Sequence, residues 1–96
     1  MRLRMTDSYK RTLTIVNKLG LHARAAAKFV TCTSAFAAEI TVRCGEREVN
    51  GKSIMGVMML AAAQGSEIEV IAIGGDAEQA LLALEELLAN YFGEDE

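Results

Sequence analysis

The chain has 96 residues, of which 51% are apolar, and ten basic residues against thirteen acidic ones give a net charge of −3. That length and apolar share predict one domain over residues 1–96 with a core that needs no staples, while the acidic balance argues against nucleic acid as the main partner, since phosphate-backbone binding needs a basic footprint. No apolar run approaches the ~18 residues of a membrane span, and the opening MRLRMTDSYK lacks the apolar centre and cleavage site of a signal peptide, so a cytoplasmic protein without membrane insertion is expected.

Residues 10–16 alternate, with Leu13 and Ile15 on one side and Thr12 and Thr14 on the other, the period of a half-buried strand. A helix is expected from Ala23, because Ala26, Phe29, Val30 and Thr33 recur at helical spacing while Arg24, Lys28 and Thr31 fall opposite. The chain's one histidine, His22, therefore stands at or next to the helix N-cap. The first N–H groups of a helix have no intrahelical partner, and together with the dipole they favour an anion placed before them. That end also favours the neutral imidazole, whose lone pair can attack phosphorus. Arg24, two residues on, offers a planar donor fork to phosphate oxygens if it curls back over the helix start.

Residues 39–44 alternate again, with Ile40, Val42 and Cys44 pointing one way, and Gly45 turns the chain into a short strand around residues 47–49, a hairpin. Ser53 is placed to cap a second helix reaching about Ala63 and ending at Gly65. That helix is apolar nearly all round. A helix on one face of a small sheet cannot bury its whole circumference, so part of Ile54, Met55 and Met58 should be exposed while Val57 and Leu60 enter the core. Residues 67–73 are apolar at Ile68, Val70, Ile71 and Ile73, which suits a central strand. Asp76 and Gln79 form a variant of the capping box before a last helix striped by Ala77, Ala80, Leu81, Leu84, Leu87, Leu88 and Tyr91. The ordered core is expected over about residues 9–92, with the acidic end GEDE frayed.

Several other motifs fail on spacing. Gly51-Lys52-Ser53 is no P-loop, because the position five before Gly51 is Glu46. Cys32 and Cys44 could form one bridge, but they belong to no CxxC pair and to no metal-ligand spacing around His22, so they read as buried or partly buried thiols and no metal is expected. Glu85 and Glu86 are adjacent on a helix and point in different directions, which suits solvent-facing charges. The element order β-α-β-β-α-β-α describes an α+β fold, a four-stranded antiparallel sheet with helices on one face. Pattern alone would suggest a ferredoxin-like arrangement and leaves the strand order open.

The segment GLHARAAAKFV, residues 20–30, resembles the active-site segment of the HPr family, the histidine phosphocarrier proteins of the bacterial phosphoenolpyruvate-dependent phosphotransferase system. VNGKSIMGVMML, residues 49–60, resembles that family's regulatory-serine region, and the likeness runs over about residues 10–91. One departure is Ala25, where most members carry proline; alanine is the best helix former, so a helix start stands without it. Some carriers of the nitrogen-related branch look similar there. The resemblance implies the HPr open-faced β-sandwich with three helices on one sheet face. It implies that His22 accepts a phosphoryl group on Nδ1 from phosphoenolpyruvate-protein phosphotransferase, the system's first enzyme, with Arg24 beside it. An enzyme IIA-type acceptor, in sugar uptake or nitrogen-related regulation, would take the group on. Ser53 matches the serine that a dedicated HPr serine kinase phosphorylates in many members, and Ile54, Met55 and Met58 match the surface that meets donor and acceptors. Such a protein is a stoichiometric carrier and not an enzyme, needs no cofactor, and works as a monomer so that its docking patch stays free. The rival readings are a regulatory protein-binding module on the same fold without phosphoryl flux and, more weakly, a ferredoxin-like small-molecule or metal-binding domain.

Overall fold

The computed structural model describes residues 8–96. Strand β1 (Ser8–Thr14) is followed by helix α1 (Ala23–Ser34), strands β2 (Glu39–Cys44) and β3 (Arg47–Asn50), helix α2 (Ile54–Met59), strand β4 (Glu67–Ile73) and helix α3 (Ala77–Ala89). All pairings are antiparallel and the strand order is β1-β4-β2-β3. The ferredoxin-like arrangement, which would put β1 inside the sheet, is thereby corrected: β1 and β3 are the edges, and β4 runs down the middle as its apolar run suggested.

Only one face of β4 is buried. Ile68, Val70 and Ala72 lie in the core, whereas Ile73 is exposed, because the helices cover a single side of the sheet. That covered side packs Leu13, Ile15, Ile40 and Val42 from the sheet region against Ala25, Ala26 and Phe29 of α1, Val57 of α2 and Leu81 and Leu84 of α3. The uncovered side carries a ladder of charges, Lys10 to Glu69 at 3.6 Å, Glu69 to Arg43 at 3.0 Å and Arg43 to Glu48 at 2.8 Å. Such exposed pairs add little stability but blunt the face against edge-on or face-on association.

Two elements depart from the sequence pattern for tertiary reasons. Helix α2 ends at Met59, short of Ala63, where Ala61 takes a left-handed φ of +52°. The turn frees the Ala62 carbonyl to accept from Leu21 N–H at 2.9 Å, and the Arg47 guanidinium caps the Met59 carbonyl at 2.5 Å. Asp76 does stand at the start of α3 but makes no capping hydrogen bond to it. Its carboxylate instead accepts from Ala37 and Ala38 N–H at 2.8 and 2.9 Å, tying the loop before β2 to the start of α3. These bonds, the Ala37 one foremost, together with the Lys52 charge, outweigh the opposing effect of burial and hold its pKa below the usual range. Cys32 and Cys44 are both free thiols of intermediate exposure.

Candidate functional site

His22 is the N-cap of α1, with extended backbone (φ −73°, ψ 179°), and its carbonyl accepts from Ala26 N–H at 2.8 Å to start the helix. The imidazole does the work that a serine or aspartate side chain does at most N-caps. Its Nδ1 accepts from Arg24 N–H at 3.3 Å, a long and weak contact. A nitrogen that accepts carries a lone pair, so the ring proton of the neutral form belongs on Nε2.

The loop leading to His22 is pinned at several points. Gly20 N–H donates to Asn17 at 3.2 Å, Leu21 N–H to Ala62, and Gly20 itself has φ +69°. Asn17 is fully buried, and its Nδ2 donates both to the Gly20 carbonyl at 2.8 Å and to Glu94 Oε1 at 3.1 Å. Both partners accept, which fixes the amide orientation and leaves Asn17 Oδ1 buried without a partner, a cost on the order of 1–3 kcal/mol.

Glu94 completes the site from the far end of the chain. Its Oε2 lies 2.6 Å from His22 Nε2, so Nε2–H donates to a carboxylate. The acidic end is therefore not frayed at this residue, a correction to the expectation drawn from its composition. After Asn90 the chain doubles back through a turn over Tyr91–Gly93 in which φ is +58°, +54° and +78°. Tyr91 and Phe92 are not glycine, and left-handed conformations cost such residues about 1–2 kcal/mol each. Complete burial of the Phe92 ring and a 2.6 Å hydrogen bond from Lys28 Nζ to the Phe92 carbonyl offset that strain. The side chain of Glu94 is only 10% exposed. Burial pushes its pKa up, but hydrogen bonds from His22 and Asn17 and the charges of His22 and Arg24 more than reverse this, so it stays ionised below the usual glutamate range.

Arg24 is exposed and lines one hollow together with Lys18, Leu19, Lys28 and the chain end from Gly93 to Glu96. Three cations thus line the hollow beside Glu94, together with the acidic residues Glu94, Asp95 and Glu96. Glu96 reaches Lys18 at 3.7 Å without touching the ring.

Ser53 lies elsewhere. It is the N-cap of α2, with Oγ accepting from Gly56 N–H at 3.0 Å. The Gly51 carbonyl beside it accepts from Thr33 Oγ1 at the end of α1, whereas Ala62, past the end of α2, meets Leu21 at the start of α1. The two helices therefore run antiparallel, and with 12 residues in α1 this puts Ser53 on the order of 15 Å from His22 at a rise of about 1.5 Å per residue. Along the outer side of α2, Ile54, Met55 and Met58 are exposed, while Val57 and Leu60 are buried as the sequence suggested. Met59, 61% exposed, continues the exposed side of α2, and Leu19, 67% exposed, stands in the loop before His22; neither was singled out by pattern. Asn17 and Glu94 were missed as well; a polar residue before Gly20 and a glycine after a C-terminal aromatic were the only signals.

Among the described residues no group of three or more His, Cys, Asp or Glu side chains could hold a metal ion, and none of their helices is long and apolar enough to cross a membrane. The family model for the phosphotransferase-system HPr component phosphorylation site matches residues 9–90. The chain is 52% identical over 87 residues to the phosphocarrier protein HPr of Neisseria meningitidis, covering 91% of this chain and 98% of that one. It is 44% identical over 85 residues to the phosphocarrier protein NPr of Shewanella violacea, covering 88% and 93%. A crystal structure of HPr from Thermoanaerobacter tengcongensis superposes with a TM-score of 0.87 at 44% identity, covering 92% of this chain and 99% of that one. With the sheet order, the helix-capping histidine and these likenesses in agreement, the chain belongs to the HPr phosphocarrier family.

Proposed function

We propose that this protein carries phosphoryl groups on Nδ1 of His22, accepting them from the phosphoenolpyruvate-dependent first enzyme of the phosphotransferase system in the cytoplasm and passing them to an enzyme IIA-type acceptor. The observation that carries the reading is the orientation of the ring: Nδ1 faces the N-terminus of α1 through Arg24 N–H, while Nε2 is occupied by Glu94. An incoming phosphoryl group at Nδ1 displaces one weak hydrogen bond and meets the free N–H groups and positive end of a 12-residue helix. Arg24, exposed beside it, supplies a mobile positive charge that follows the phosphoryl oxygens as the transfer proceeds. Exposure on this side suits a relay. A carrier must stabilise the transition state without trapping the phosphorylated form, and a site open to partners on one face, with no enclosing cage, fits that demand.

The apolar surface of Ile54, Met55, Met58 and Met59 supports docking of donor and acceptor on a free monomer, with contacts modest enough for release after each transfer. Ser53, capping α2 within that surface, is the proposed target of an HPr serine kinase. At on the order of 15 Å from His22, beyond the ~8 Å Debye length of physiological salt, a phosphate there would act on the docking partner more than on the imidazole.

Intact mass after incubation with phosphoenolpyruvate and first enzyme tests the reading. One acid-labile phosphoryl adduct on the wild type and none on His22→Ala is the expected result. No adduct with a competent donor would refute carriage and favour a regulatory module that binds partners without flux.

A further inference from the structure

We propose that Glu94 is a positioning residue for the transfer at His22: its carboxylate holds the imidazole as the Nε2–H tautomer and so aims the Nδ1 lone pair at the N-terminus of α1. The role in transfer rests on the carrier reading above; the hold on the ring rests on geometry alone. A free neutral imidazole exchanges between two tautomers, and only one of them leaves Nδ1 nucleophilic. Here Nε2 lies 2.6 Å from Glu94 Oε2, and a carboxylate can only accept, so the proton is fixed on Nε2.

The carboxylate is itself oriented. Asn17 Nδ2 donates to Glu94 Oε1, and Asn17 cannot turn, since it is buried and bound to the Gly20 carbonyl as well. Behind Glu94, two non-glycine residues in left-handed conformation, a buried Phe92 and the Lys28 bond to the Phe92 carbonyl bring the chain back 72 positions from Glu94 to His22. A tail that merely covered surface would need none of these.

The chemistry balances with the proton in place. As the Nδ1–P bond forms, the donor's leaving atom takes the electron pair of the breaking bond, and the ring of His22, retaining Nε2–H, acquires a positive charge facing the Glu94 carboxylate. In the onward step the Nδ1–P pair returns to the ring, which leaves as neutral Nε2–H imidazole. Glu94 thus offsets charge that exists while the phosphoryl group is bound or moving.

His22 is the chain's one histidine, so its ring nitrogens can be read by ¹⁵N NMR without ambiguity. The experiment compares the wild type with Glu94→Ala, Glu94→Gln and, as a control, Glu96→Ala, each folded and at a pH where the ring is neutral, and then times phosphoryl acceptance from the first enzyme. Glutamine has one acceptor oxygen and cannot serve Nε2–H and Asn17 together. Both Glu94 variants should lose the single Nε2–H tautomer for a mixture and accept phosphate about ten-fold more slowly, while Glu96→Ala changes neither. A tautomer that is unmoved in Glu94→Ala, even with lowered stability, overturns the proposal, as does a changed tautomer with an unchanged rate. A changed tautomer with no adduct on any protein, wild type included, would refute the carrier reading and leave the hold of Glu94 on the ring intact.

Discussion

The α-carbon of Gly20 lies so close to the Ala62 carbonyl that a Cβ at Gly20 would come within 2.5 Å of that oxygen. Its φ of +69° is also one that side chains rarely adopt. The same carbonyl accepts from Leu21 N–H at 2.9 Å, so this contact sets the backbone immediately before His22. Gly20→Ala combines a backbone overlap with a left-handed alanine and should cost about 2–4 kcal/mol. Denaturant midpoints will show it. Phosphoryl acceptance by the folded fraction should fall as well, because relieving the overlap shifts the loop that carries the imidazole.

Asp76 makes stability depend on acid in a calculable direction. Its folded pKa is depressed, chiefly by the Ala37 N–H, so the unfolded chain binds the proton more readily than the folded one. The stabilisation is therefore complete above the ordinary aspartate value of about 3.9 and disappears as pH falls through the lower folded value. Asp76→Ala, which leaves Ala37 and Ala38 N–H without their acceptor, should lie below the wild type at neutral pH and converge with it in strong acid. Parallel curves over the whole acid range would show that the carboxylate's charge is not what matters.

These two contacts also show where sequence pattern stops. The start of α1 was legible because helical spacing begins sharply after His22, and the centrality of β4 because its residues are apolar on both sides. Local propensity then misled at α2. An alanine run that should prolong a helix is interrupted at Ala61, because the hydrogen bond between Leu21 and Ala62 outweighs it. Asp76 carries a capping signature yet spends both oxygens on a loop about 40 positions away. Glu94 was invisible for the same reason: an acidic terminus reads as solvated tail, and nothing local reveals that Tyr91 and Phe92 turn left-handed to deliver it to His22.

Ser53 separates structure from regulation. Ser53→Ala removes the acceptor of Gly56 N–H and should destabilise the protein by about 1 kcal/mol, with the chemistry at His22 unchanged. Ser53→Asp keeps an N-cap acceptor and puts a negative charge at the positive end of α2, so stability should stay within about 0.5 kcal/mol of the wild type. Its transfer from the first enzyme should nevertheless slow through a raised KM. Stopped-flow transfer and urea titration of the same preparations distinguish the two effects. A Ser53→Asp protein that loses stability yet transfers normally would contradict a docking role for this end of α2.

Met55 and Met59 are one helical turn apart and 69% and 61% exposed, so they form a continuous apolar stripe on α2. Because α2 runs antiparallel to α1, the Met59 end lies nearer the imidazole. Replacing either methionine by aspartate removes no core contact and should alter stability by no more than about 0.5 kcal/mol. Burying that charge against an apolar partner is a different matter, and either change should raise KM for the first enzyme about ten-fold while leaving kcat close to the wild-type value. If the stripe serves only one partner, the effect will appear with donor or acceptor alone. If it is the shared surface that a carrier with several partners needs, both half-reactions will weaken together while the Nε2–H tautomer of His22 stays as it is, since the ring's hydrogen bonds run to Glu94 and to Arg24 N–H.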